Sequence, residues 1–474
     1  MSSPRFLAAA YTSAVLSSIV SAAVIAQTPP ALPPRSTPKA LSSLIAVQVQ
    51  KPAAAEVKEE MRGVWVVRDS LTTPQSVHQV VVTAIKYHLN TIFVQVRGRG
   101  DAWYDSPYEP RAEQLASQPA SFDPLSQMVR EAHASGLKVH AWLNTYLAWS
   151  NRKAPIAPNH LWNAHRNWFA LNNEGKCSPV PTNKTEGAFL SPSRPEVQDH
   201  LFNVFTDVAS RYDVDGIHFD YCRYAGSGYD FHPDTLARFR NHMIKSMTED
   251  AITQFDGRAQ TDSHIYVHAF GKQWAEWRRA QVTDLVTRIS KSVKEKKPWM
   301  EVSAAVFPDA NEAFQDKGQN WRQWIQDGIL DAVALMSYDK DTSKVMRQIK
   351  QAVAIAGEKH VYAGIGAWRL PVGDVAKKIA EVRKTGAAGV NLFSYDDVHS
   401  RPQYLSALLH GVFASRSASP RMRWLPDRLG ARTGGEVKDG FGSSNVEGVS
   451  VRLTPEKKAA SEGKSDNPKE SGGR

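Results

Sequence analysis

Residues 213–224, DVDGIHFDYCRY, hold the densest chemistry of the chain. An Asp-Gly turn at Asp215-Gly216 leads into a short apolar strand that ends on Asp220, with Tyr221, Arg223 and Tyr224 following at once. Parallel α/β barrels place polar side chains at the C-terminal ends of short buried strands, and that is where they do chemistry. A carboxylate there, among aromatic rings and a guanidinium, suits the handling of sugars. The competing structural role for Asp220 is a helix cap or an ion pair with Arg223.

Glycoside hydrolysis takes two carboxyls, one held protonated and one ionised. Asp220 and Asp339 are the candidate catalytic pair, with Asp309, Asp396 and Asp397 as substitutes for the second position. Asp is also a favoured N-cap, so Asp339 has a structural alternative just before Thr342. Arg97, Trp142, Asn144, His218, Arg223, Tyr338, Trp368 and Asp396 are the candidate substrate-binding residues. Arg97 and Arg223 suit a ring hydroxyl or an anionic group, or equally an ion pair with the acids. His218 stands two residues before Asp220 and shares its face of a strand. His140 stands in the same relation to Trp142. No HxH or HExxH pair occurs, so the histidines are read as neutral groups orienting carboxylates, and no metal or cofactor is expected.

These side chains need a frame. Strand patterns occur at 63–67, 91–96, 138–143, 216–220, 301–307, 331–337, 360–365 and 388–393. Helical patterns separate them, at 74–88, 123–135, 195–212, 233–248, 272–294, 321–326, 342–356 and 375–384. Eight strands alternating with helices predict an α/β fold, a (β/α)8 TIM barrel with long loop insertions. An open doubly wound sheet is the rival, but no Gly-rich dinucleotide turn follows the first strand. Residues 264–270 could form a ninth strand and are assigned to an inserted loop. No internal repeat is evident.

Residues 1–26 read as a signal peptide: Arg5, then an apolar and small-residue run to Ala26. Export to the periplasm or outside the cell follows, with no stable membrane insertion once the signal is removed. Retention as an uncleaved anchor is the alternative. Residues 27–60, rich in Pro and Ala, read as a flexible linker, and 416–474 as a disordered basic tail flanking a barrel at 61–415. The net charge is +10, and more than half of it lies in 1–60 and 416–474. That distribution argues against a nucleic-acid groove, and no nucleic-acid-binding signature is present. The 13 Trp and 14 Tyr supply platforms for sugar rings, or for core packing. Cys177 and Cys222 are open to a disulfide or to two separate thiols.

Six segments together resemble the glycosyl hydrolase-like 10 family. They are MRGVWV at 61–66, NTIFVQVRGRGDAWYDS at 90–106, DPLSQMVREAHASGLKVHAWLN at 123–144, YDVDGIHFDYCRY at 212–224, WRRAQVTDLV at 277–286 and DAVALMSYDKD at 331–341. The resemblance spans about residues 61–400. It implies an exported TIM-barrel glycosidase-like protein, with peptidoglycan glycan strands or another polysaccharide as partner. It places Asp220 at the family's acidic strand-four position and Asp339 at its strand-six position. Tyr221-Cys222-Arg223 stands where some members carry a second acid, and Ala225 where a proline is usual, so a role for that second acid does not transfer. A non-catalytic carbohydrate-binding protein on the same barrel is the alternative. A scaffold held by its basic tail is a third reading.

Overall fold

A computed structural model describes residues 59–428. The signal and linker assigned to 1–58, and the tail from 429 onward, lie outside the described residues. The described residues up to Pro426 belong to one compact unit; of a second unit, only Asp427 and Arg428 are described.

Eight parallel strands close into a barrel. They are β1 (Met61–Val66), β2 (Thr91–Arg97), β3 (Lys138–Asn144), β4 (Gly216–Asp220), β5 (Glu301–Val306), β6 (Ala332–Leu335), β7 (His360–Gly366) and β8 (Gly389–Phe393). Each pairs with its sequence neighbours, and β1 meets β8 across the closing seam. All eight predicted strands form within two residues of their expected limits, because strands covered on both faces are apolar almost throughout.

The helices between them bury one stripe. In Thr342–Ala356 the buried residues are Val345, Ile349, Ala352 and Ala356, spaced four, three and four apart. Asp341 caps that helix, accepting from the amides of Ser343 and Lys344. These stripes and the outward faces of the strands make one continuous core. A second core fills the barrel itself, with Met61, Trp65, Phe93, Trp142, Ala332, Ala334 and Tyr362. Polar groups share that interior, most of them paired, though Asn391 and His140 Nδ1 have no hydrogen-bond partner. Tyr362 Oη donates to Glu301 Oε1 at 2.9 Å, and the Glu301 carboxyl is pushed up to about 7 by burial.

Three expectations change. Residues 264–270 are neither a strand nor a plain loop: Ile265–Ala269 is a short helix. The basic tail does not begin at 416. Ala418 accepts from the Glu60 amide at 2.9 Å, Met422 closes the base of the barrel, and Trp424 Nε1 donates to Asp331 Oδ1 at 2.9 Å. Glu60, assigned to the linker, is buried between Arg62 and Arg383. A few apolar residues in a polar stretch are enough when a waiting apolar surface receives them. Cys177 and Cys222 are separate thiols. Among the described residues no helix is long and apolar enough to cross a membrane.

Candidate active site

Parallel pairing sets Asn144 opposite Asp220, and Trp142 opposite His218. Asp220 therefore ends β4 at the C-terminal mouth, next to the end of β3. Its Oδ1 accepts from the Tyr221 amide at 2.6 Å and its Oδ2 from Trp142 Nε1 at 3.1 Å. The same indole N–H also reaches Asn144 Oδ1 at 3.0 Å. Asn144 is fixed in turn: Nδ2 donates to the Gly98 carbonyl at 2.8 Å, and Gln95 Nε2 approaches Oδ1 at 3.3 Å. Arg68 Nη1 completes the chain by donating to Gln95 Oε1 at 2.8 Å.

Burial dominates the electrostatics of Asp220. Desolvation pushes its carboxyl up to about 6, against the Tyr221 amide, Arg223 and Trp142, all of which favour the anion; the nearby charge of Glu186 adds to the rise. Glu186 goes the other way. Burial opposes its ionisation, but the Arg223 guanidinium prevails and holds the carboxyl below the usual range. Arg223 Nη2 donates to Glu186 Oε1 at 2.8 Å, and its guanidinium lies 4.7 Å from the Tyr221 ring centroid and 5.1 Å from that of Phe307. Two carboxyls thus share one arginine, and their surroundings drive their proton affinities apart.

Tyr338 borders this centre, its phenol pushed well above the usual range by burial and by the charge of Asp220. Its ring meets Trp368 at 4.9 Å and Phe393 at 5.5 Å. Trp368 is 37% exposed, one of few large apolar side chains open to solvent among the described residues.

Asp220, Trp142, Asn144, Arg223, Tyr338 and Trp368 are thus brought together. Four others are placed differently. Arg97 is fully buried and spent on structure: its guanidinium grips both oxygens of Glu109 and donates to the carbonyls of Asn144 and Thr145. Burial alone would raise the Glu109 carboxyl, yet Arg97 and His200 bring it down to about 2. His218 lies inside the barrel, below the mouth. Its Nε2 accepts from Trp65 Nε1 at 3.1 Å, so Nδ1 carries the proton and donates to Ser303 Oγ at 2.9 Å. Asp339 is bound to Lys344 Nζ at 2.8 Å and accepts the Asp341 amide at 2.9 Å. Those bonds hold it ionised at the entry to a helix. Asp396 accepts from the Ser70 hydroxyl and, at 3.3 Å, from the Val67 amide, which fixes it to the loop after β1. Of the substitute acids, Asp309 caps the helix Ala310–Gln315, and Asp397 accepts from Ser394 Oγ at 3.0 Å.

Glu186 is the residue that sequence reasoning missed. It lies in the long β3-to-β4 connection, just before the short strand Ala188–Phe189, which pairs antiparallel with Leu147–Trp149. That ribbon carries Glu186 back over the mouth. No local motif announces it; the available hint was Arg223, a guanidinium beside Asp220 suited to pairing with an acid.

The chain is similar to known proteins in sequence and in fold. The sequence profile described as glycosyl hydrolase-like 10 matches residues 60–386. The chain is 25% identical over 339 residues to the glycosyl hydrolase DigH of Escherichia coli K12, covering 61% of this chain and 68% of that protein. It is 23% identical over 450 residues to the glycosyl hydrolase YngK of Bacillus subtilis, covering 82% and 80%. Among solved structures, the PgaB (BpsB) glycoside hydrolase domain from Bordetella bronchiseptica superposes with a TM-score of 0.54 at 17% identity, over 74% of this chain and 98% of that one.

Proposed function

The chain belongs to the glycosyl hydrolase-like 10 family, and on that footing we propose that it is an exported glycoside hydrolase that cleaves O-glycosidic bonds of a polysaccharide. The observation that carries the chemistry is the divergence of two carboxyls around Arg223, with Asp220 raised to about 6 and Glu186 held ionised. Asp220 is the general acid: it protonates the departing glycosidic oxygen. Glu186 replaces Asp339 as the ionised partner, acting on the anomeric carbon directly or through a water. Trp142 and Asn144 keep the Asp220 carboxyl in place. Trp368, Tyr338 and Phe393 form an aromatic wall on which a sugar ring stacks. Peptidoglycan glycan strands are the proposed substrate; this rests on the family resemblance, as export rests on the N-terminal residues.

The test is turnover by the purified chain on peptidoglycan with and without stem peptides, and on a panel of other glycans. Release of reducing ends by the wild type, lost in Asp220→Asn, supports the proposal. Binding of a glycan with no turnover anywhere in the panel would replace it with the carbohydrate-binding reading.

A further inference from the structure

A helical insertion follows β4: Pro233–Met243, Glu249–Ala259 and Ile265–Ala269. It packs around its own small core of Phe239, Met243, Ile265, Tyr266 and Trp274. Its middle helix, Glu249–Ala259, buries no residue, and its last is only five residues long. Helices this short have little stability of their own.

Asp262, His264 and His268 meet at the corner between those two helices. Each presents one donor atom, and the three lie within 4.8 Å of one another. His264 precedes the helix Ile265–Ala269 and His268 follows one turn later, so both project from the same side. Asp262 folds back beneath them: its Oδ1 accepts the His264 amide at 3.0 Å, and its Oδ2 faces His268 Nδ1 at 3.0 Å. The His264 ring rests edge-on against Phe231, centroids 5.1 Å apart, which limits its rotation.

We propose that Asp262, His264 and His268 bind a Zn²⁺ ion. Two imidazoles and one carboxylate are a zinc ligand set, with bonds of about 2.0–2.2 Å and a fourth position left to water. Hard cations such as Ca²⁺ and Mg²⁺ select oxygen ligands instead. The donor atoms need only contract modestly, and the side chains are free to do so, since Asp262 is 38% and His268 62% exposed. The ion would add a tie between the small core and a helix that meets it only through part-buried side chains such as Phe255 and Ala259. This site is independent of the glycosidase assignment.

The test is calorimetric titration of the full chain, stripped of metal and lacking a polyhistidine tag, with ZnCl₂. One equivalent should bind with a Kd below about 10 μM, and the melting temperature should rise. His264→Ala combined with His268→Ala should abolish that equivalent, and Asp262→Ala should weaken it at least 10-fold. On the unaltered chain, zinc should shield His264 and His268, but not the exposed His78, from histidine-directed acylation read by mass spectrometry. Absence of binding, an undiminished equivalent in the double variant, or unshielded His264 and His268 would each overturn the proposal. The shielding measurement stands even where the double variant fails to fold.

Discussion

Replacing Asp220 by Asn should make the protein more stable as the pH rises, relative to the wild type, while removing its activity. The Asp220 carboxyl has an ordinary value of 3.8 and sits at about 6 in the fold. The native state therefore holds this proton more tightly than the unfolded chain does. That contribution to stability is fully present below pH 3.8 and is lost as the pH rises through about 6. The interval corresponds to about 3 kcal/mol. Asn carries no charge to desolvate and escapes this loss. It has a fixed cost instead, because its amide must turn an N–H toward either the Trp142 N–H or the Tyr221 N–H, at about 1–3 kcal/mol. The fixed cost is the same at every pH, so the diagnostic is the change with pH. At about 2.1 cal/mol/K per residue over about 370 described residues, 3 kcal/mol amounts to about 4 °C. Thermal melts of both proteins from pH 4 to pH 8 measure it. The difference in midpoint should swing by about 4 °C in favour of Asn, with most of the swing between pH 4 and pH 6.5. Glu301, also raised, is common to both proteins and cancels. A flat difference across that range would show that Asp220 is not desolvated as described.

Glu186→Gln should lower turnover at least about 10²-fold, whereas Asp339→Asn, which loses only a part-exposed pair with Lys344, should change it by less than about 3-fold; the reverse ranking restores Asp339 as partner. The pH profile of kcat/KM should be bell-shaped, falling as the pH rises through about 6, where Asp220 loses its proton, and falling in acid once Glu186 gains one. A rate that climbs through pH 6 would make Asp220 the base or nucleophile. Arg97→Met strands the buried Glu109 carboxylate and should cost about 3–5 kcal/mol in denaturant unfolding, with glycan affinity of the folded fraction unchanged; lost affinity at full stability would return Arg97 to the substrate.

The barrel was legible because each strand is buried on both faces and so reads as an apolar run. The position of Asp220 was legible for the same reason, since a polar residue ending such a run has only the mouth to go to. Partnership was not legible. Arg97 and Arg223 look alike in sequence, each following a strand residue at the mouth, yet Glu109 closes over one and Glu186 joins the other, and both acids arrive on loops. His218 shares a strand face with Asp220, as period two requires. One layer down, that face points into packed interior, and the imidazole is consumed by Trp65 and Ser303. The boundary at 416 failed because composition averages over a window, while Met422 and Trp424 act singly on a surface already formed.

The seam between β1 and β8 has a consequence for how the chain can be cut. Glu60 bonds to Ala418, and Arg62 donates to the carbonyl of Ser415, so residues more than 350 apart in sequence lie side by side. A ring of eight paired strands has no intrinsic beginning. A circular permutant that joins the neighbourhood of residue 59 to the segment after Ala418 through a linker, and opens instead in an exposed turn such as the one at Gly136, would keep every strand pair of the barrel. In the natural order, β1 waits with one edge unpaired until β8 has been made. The permutant would move that vulnerable interval to a different strand, and with it the point in synthesis at which the chain is most open to pairing with its neighbours.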